Sequence, residues 1–80
     1  MTRHEMDMKR RIGCNIDAAL GDRTNAEVAR LTGKSDREIR RWRKGEVTPG
    51  EENLAAIASV CGVEDLSWFY LPHEHVKAAA

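Results

Sequence analysis

Thr24-Asn25-Ala26-Glu27-Val28-Ala29-Arg30-Leu31-Thr32-Gly33-Lys34-Ser35-Asp36-Arg37-Glu38-Ile39-Arg40-Arg41-Trp42-Arg43-Lys44-Gly45 is the stretch that decides the fold. Two helix-start devices stand in it, Thr24-x-x-Glu27 and Ser35-x-x-Glu38. In each, a hydroxyl can satisfy an orphan backbone N–H while the glutamate three residues on reaches back. Apolar residues at helical spacing follow each device, and each run stops at a glycine suited to the left-handed position past a helix end, Gly33 and Gly45. Two short helices joined by the turn Thr32-Gly33-Lys34-Ser35 are therefore expected.

Working outward, Thr48-x-x-Glu51 repeats the capping pattern, with Pro49 at a favourable first-turn position. Leu54, Ile57, Ala58 and Cys61 then carry a further helix to Gly62. Upstream, Ile12, Ile16, Ala19 and Leu20 mark an amphipathic helix from about Met8 to Leu20, ending at Gly21 and weakened at Gly13. Downstream, Leu66-Ser67-Trp68-Phe69-Tyr70-Leu71 is a short apolar run stopped by Pro72. With no partner strand available it reads as a short fifth helix. The expected architecture is all-α: one compact five-helix domain over residues 8–72, with flexible termini at 1–7 and 73–80.

The 80 residues suffice for one domain that buries only about 60% of its unfolded surface, which favours a binding module over an enzyme. No nucleophile, base and orienting group fall together on the expected helices, so neither catalysis nor a small-molecule substrate is expected. Cys14 and Cys61 lack metal-ligand spacing and read as buried small hydrophobes in a reducing compartment. His4, His73 and His75 sit near the ends, where a solvated tail outweighs weak chelation by His73-Glu74-His75. No metal or cofactor is expected. No stretch is apolar enough to span a bilayer and no leader is legible, so a cytoplasmic protein without a membrane partner is expected.

Thirteen basic residues balance thirteen acidic ones, but unevenly along the chain. Residues 23–45 hold eight basic and three acidic groups, whereas residues 46–80 hold one and six. The surplus gathers on the second helix of the pair, where Arg37, Arg40, Arg41 and Lys44 share a face and Ile39 and Trp42 turn inward. An arginine fork matches O6 and N7 of guanine, and lysine makes an unselective phosphate contact. Asp36 and Arg37, near the helix start, are nominated as base readers, with Asp36 either accepting from cytosine N4 or orienting Arg37 or Arg40. Arg40 and Arg41 follow as base or phosphate contacts, and Arg43 and Lys44 as phosphate contacts. Asn25 lies where free backbone N–H groups attract a phosphate. Trp42 is first a core residue whose indole N–H has the option of a phosphate. Thr24, Ser35 and Thr48 are caps. The competing reading is a solvated charged face with surface pairs to Glu27, Asp36 and Glu38, each worth under about 1 kcal/mol.

Residues 25–35, then Ile39-Arg40-Arg41-Trp42-Arg43-Lys44-Gly45, Pro49, Leu54 and the Leu-Ser-Trp-Phe ending together resemble the lambda-repressor/Cro-like (XRE) family of helix-turn-helix DNA-binding domains. The resemblance covers residues 24 to about 71. It implies a bacterial or phage transcriptional regulator, of repressor or Cro type, that binds double-stranded DNA with the third helix in the major groove. Two departures stand out. Lys34 replaces a usually apolar turn residue, so a small core contact is expected to be either lost or covered by the lysine stem. Asn25 replaces a common glutamine, its shorter amide being expected at a phosphate. The first helix matches only with a register slip of about three residues, so nothing is carried over from it.

Trp68, Phe69 and Tyr70 are consecutive and cannot all turn inward on a helix. They are either a lid on the core or an exposed surface for a weak homodimer on DNA or another partner. The alternative function is an antitoxin-type interaction module on the same fold that neutralises a partner protein.

Overall fold

A computed structural model describes residues 3–73, with side chains from Asp7 onward. Helix α1 spans Arg3–Leu20, α2 Asn25–Thr32, α3 Asp36–Arg43 and α4 Glu51–Cys61, followed by a 3-10 helix at Leu66–Tyr70. Among the described residues there is no strand, and the domain is all-α. Helix α1 begins about a turn before the Met8 expected from the sequence. The apolar stripe starts only at Met8, but the residues before it include no proline or glycine and continue the helix. Met1, Thr2 and residues 74–80, among them Glu74 and His75 of the tail, lie outside the described residues, as does the side chain of His4.

Ile12, Ile16 and Leu20 recur every four residues on α1 and bury one stripe of it. Val28 of α2, Ile39 and Trp42 of α3, and Leu54, Ile57 and Ala58 of α4 close on that stripe, and Phe69 caps the end. Fully buried side chains of this size each contribute about 1.5 to 3 kcal/mol relative to exposure. Helix α3 packs against α1 and α2, while α4 packs against α1, α2 and the 3-10 helix.

Gly13, expected to weaken α1, is where α1 meets the end of α3. A Cβ there would lie 2.6 Å from both Cα and N of Gly45. Gly45 is constrained as well: at φ 75° it closes α3, donating to Trp42 O at 3.1 Å while Glu46 N–H donates to Arg41 O at 3.0 Å.

The expected Thr48 cap is overturned. Helix α4 begins two residues later, with Gly50 as its N-cap in an extended conformation and no side-chain capping bond. Pro49 is buried ahead of the helix instead of opening it, and Glu51 and Glu52 supply negative charge to the first turn. The fifth element is a 3-10 helix, not an α-helix. Asp65 accepts from Ser67 N–H at 3.0 Å and Trp68 N–H donates to Asp65 O at 3.1 Å, so the segment tightens into three-residue turns before Pro72 ends it.

Asn15 was missed from sequence, although it interrupts the apolar stripe of α1. It is fully buried, and its Nδ2 donates to Phe69 O at 2.8 Å and Leu71 O at 2.9 Å. It thereby pins the 3-10 helix onto α1. Phe69 is wholly buried, which removes it from the expected partner surface. Trp68 is half-buried, edge-on to Phe69 and stacked at 4.3 Å on His73, whose Nε2 lies 2.8 Å from Trp68 O. His73 is therefore packed against the domain, where a solvated tail was expected. Tyr70 and Leu71 are exposed.

Candidate nucleic-acid interface

Ser35 starts α3 with both halves of the capping box. Its Oγ accepts from Glu38 N–H at 3.1 Å, and Glu38 Oε1 accepts from Ser35 N–H at 3.3 Å. The box fixes where α3 begins and draws the Glu38 carboxylate back to the turn. Thr24 caps α2 in the simpler way, its Oγ1 accepting from Glu27 N–H at 3.1 Å. Between them Gly33 stands at φ 73°, and its N–H and that of Lys34 both donate to Ala29 O. Lys34 is half-buried.

Ile39 and Trp42 point into the core, so successive steps of about 100° place Arg37, Arg40, Arg41 and Lys44 on the opposite side of α3. All four are exposed, as is Asp36 at the helix start. Arg41 lies 3.7 Å from Glu46, both well exposed, a surface pair that leaves the guanidinium available. Arg37, Arg40, Lys44 and Asp36 make no side-chain hydrogen bond or ion pair among the described residues.

Arg43 departs from expectation. Its Nε donates to Asp17 Oδ1 at 2.7 Å, Nη1 to Arg23 O at 2.7 Å and Asn25 Oδ1 at 3.2 Å, and Nη2 to Gly21 O at 2.9 Å. Four of its five N–H groups are thus taken within the chain, and its side chain is only 15% exposed. Arg43 ties α3 to the end of α1, to the α1–α2 connection and to the first residue of α2, so the phosphate role expected of it is withdrawn. The physical reason is its position, about 100° around α3 from the centre of the exposed face. Sequence spacing alone gave it a charge without showing what would meet it.

Asn25 opens α2 and is half-buried. Because a guanidinium can only donate, Arg43 fixes the amide with its oxygen inward and its NH₂ as the remaining free group. Asn25, Thr24, Arg23, Arg40, Lys44, Arg43 and Asp17 line an open groove of about 440 Å³ between α2 and α3. Four cations against one carboxylate make this groove electropositive. Arg23 also reaches the end of α4, its Nη2 donating to Val60 O at 3.4 Å. Burial pushes the Cys61 thiol above its usual range, and the charges of Arg23 and Arg43 oppose that shift. Both cysteines are free and half-buried, where full burial was expected.

Trp42 is 4% exposed and its ring belongs to the core. No described group accepts from its indole N–H, and no fully buried donor is left without a partner, so that N–H reaches the surface. Among the described residues no cluster of ligating side chains could hold a metal ion, and no helix is long and apolar enough to cross a membrane.

A family model described as helix-turn-helix matches residues 19–69, which contain α2, the turn, α3, α4 and nearly all of the 3-10 helix. The chain belongs to the helix-turn-helix family, of the lambda-repressor/Cro-like (XRE) type. An uncharacterized HTH-type transcriptional regulator of Haemophilus influenzae is 47% identical to this helix-turn-helix protein over 51 residues, 61% of the chain. The match spans 21% of that relative, about a fifth of its length. No solved structure gives a significant match. Helix α1 before Ala19, with Gly13, Asn15 and Asp17, lies outside the match.

Proposed function

We propose that this helix-turn-helix domain binds double-stranded DNA sequence-specifically as a transcriptional regulator of repressor or Cro-like type, with α3 in the major groove. The observation that carries the reading is the face of α3 formed by Arg37, Arg40, Arg41 and Lys44. All four are exposed directly behind a glycine turn, on a helix whose opposite face is locked into the core. In this reading Asp36, Arg37, Arg40 and Arg41 face base edges. Lys44, the Asn25 NH₂ and the Trp42 N–H hold phosphates along the rim, and the electropositive groove follows the backbone. Arg43 supports the arrangement from behind. The family and the transcriptional-regulator relative support the same reading.

A second copy is proposed to share the DNA, because one recognition helix reads too short a site to discriminate well within a genome. The exposed Tyr70 and Leu71 at the end of the 3-10 helix are the proposed contact, in place of the buried Phe69.

Titration of a labelled duplex pool with the protein at several salt concentrations tests the function. Affinity should fall with salt at a log–log slope of about −0.9 for each phosphate neutralised. Absence of binding to any duplex at low salt, or affinity indifferent to salt, would abandon the DNA reading.

A further inference from the structure

Helix α3 commits its exposed side chains to a narrow chemistry. Its eight residues, Asp36 to Arg43, include no asparagine, glutamine, alanine or threonine. Adenine is recognised through its N6 and N7 by an amide side chain, and the thymine methyl by an apolar contact. Helix α3 offers neither on its solvent side, since its two apolar residues, Ile39 and Trp42, are buried. It offers the arginine fork three times, at Arg37, Arg40 and Arg41, because the fourth arginine, Arg43, is spent within the chain. It also offers one uncommitted carboxylate, Asp36, because Glu38 is drawn into the Ser35 capping box.

Resting on the DNA-binding reading above, we propose that the site read by α3 is built from G·C pairs. Arg37, Arg40 and Arg41 engage guanine O6 and N7, and Asp36 accepts from a cytosine N4. Along α3 the three arginines rise about 4.5 and 1.5 Å in turn, 6 Å in all, against about 3.4 Å per base pair. Side chains of this length reach neighbouring steps, so the forks span two or three base pairs, and Asp36, one residue before Arg37, reads the pair at one end. The guanines fall on either strand, because O6 and N7 face the same groove from both.

The test is selection of bound sequences from a random duplex pool by the full chain, followed by measured affinities on the selected duplex. The expected core holds at least three G·C pairs among four consecutive positions. Replacing one of them by A·T should weaken binding roughly 5- to 150-fold. The decisive variant is Arg37→Gln, which substitutes an amide for a fork at an exposed position that anchors nothing in the fold. It should turn the preference at one position from G·C to A·T, with the circular dichroism of the free protein unchanged. Selection of an A·T core, or salt-dependent binding without base preference, would overturn the proposal and leave the DNA-binding reading standing with these arginines as phosphate contacts. Arg37→Gln weakening all duplexes equally would overturn it in the same way. Failure to bind any duplex would overturn both.

Discussion

At the scale of single residues, the structure separates cations that look alike in sequence. Arg40 and Arg43 are three positions apart, yet Arg40 has no partner among the described residues and Arg43 has four. Arg43→Ala should therefore destabilise the free domain by about 1 to 2 kcal/mol, a value kept small because the carboxylate of Asp17 is largely exposed. Arg40→Ala should change stability by less than about 0.5 kcal/mol while weakening DNA binding. Urea unfolding followed by tryptophan fluorescence compares the two, and equal losses of stability would refute the distinction. Asp65 makes a second residue-scale case. The backbone N–H of Ser67 donates to its carboxylate and holds it below its ordinary range. A carboxyl lowered on folding stabilises fully above its unfolded value near about 3.9, and that contribution is lost as pH falls through the folded value. Asp65→Asn keeps an acceptor but cannot titrate, so its urea midpoint should change less between about pH 5 and pH 2 than that of the parent. Parallel curves would show that this cap carries none of the acid sensitivity.

At the scale of elements, the crossing of α1 and α3 depends on two backbones touching. By helix propensity alone, Gly13→Ala in α1 would gain about 1 kcal/mol. The added Cβ would instead meet the Gly45 backbone at 2.6 Å, where no flexible side chain can yield. A net loss of about 1 to 3 kcal/mol is expected, read as a lowered Tm. A raised Tm would mean that α1 does not cross α3 this closely. Gly33→Ala is the control, because nothing lies within 4 Å of a Cβ there and only the left-handed backbone at φ 73° is strained. The capping devices also differ from one another once folded. The Ser35 box is complete and sets the start of α3, whereas Thr48 stands before a helix that begins beyond it.

At the scale of the whole molecule, only Arg37, Arg40, Arg41 and Lys44 of the eight basic residues in 23–45 share the exposed face of α3, and Arg43 is held in an internal clamp, so the local charge surplus overstates what is available to DNA. A salt slope smaller than eight basic residues would suggest is the expected outcome, with Lys44→Ala lowering it by about 1. For assembly, two half-sites one turn apart, about 34 Å, are expected in the selected DNA. Analytical ultracentrifugation should then find two copies per duplex and fewer after Tyr70→Ser. A single copy on a site without internal repeat would exclude the proposed dimer.

The order of helices, the turn at Gly33 and the exposed face of α3 were legible from the sequence, because capping chemistry, glycine conformation and the 3.6-residue period act within a few residues of one another. The inward direction of Ile39 and Trp42 followed from the same period. What only the tertiary structure decided involves partners distant along the chain. Arg43 belongs to the fold because Asp17 lies 26 residues away yet 2.7 Å from it in space. Gly13 is a contact because Gly45 comes to it, and Asn15 is buried because the carbonyls of Phe69 and Leu71 need a donor. Thr48 lost its cap, and Phe69 its place on the surface, for the same reason: burial of Pro49 and of the Phe69 ring is set by the assembled core. Local rules place each charge on a helix; only the assembled core determines which of them remain facing solvent.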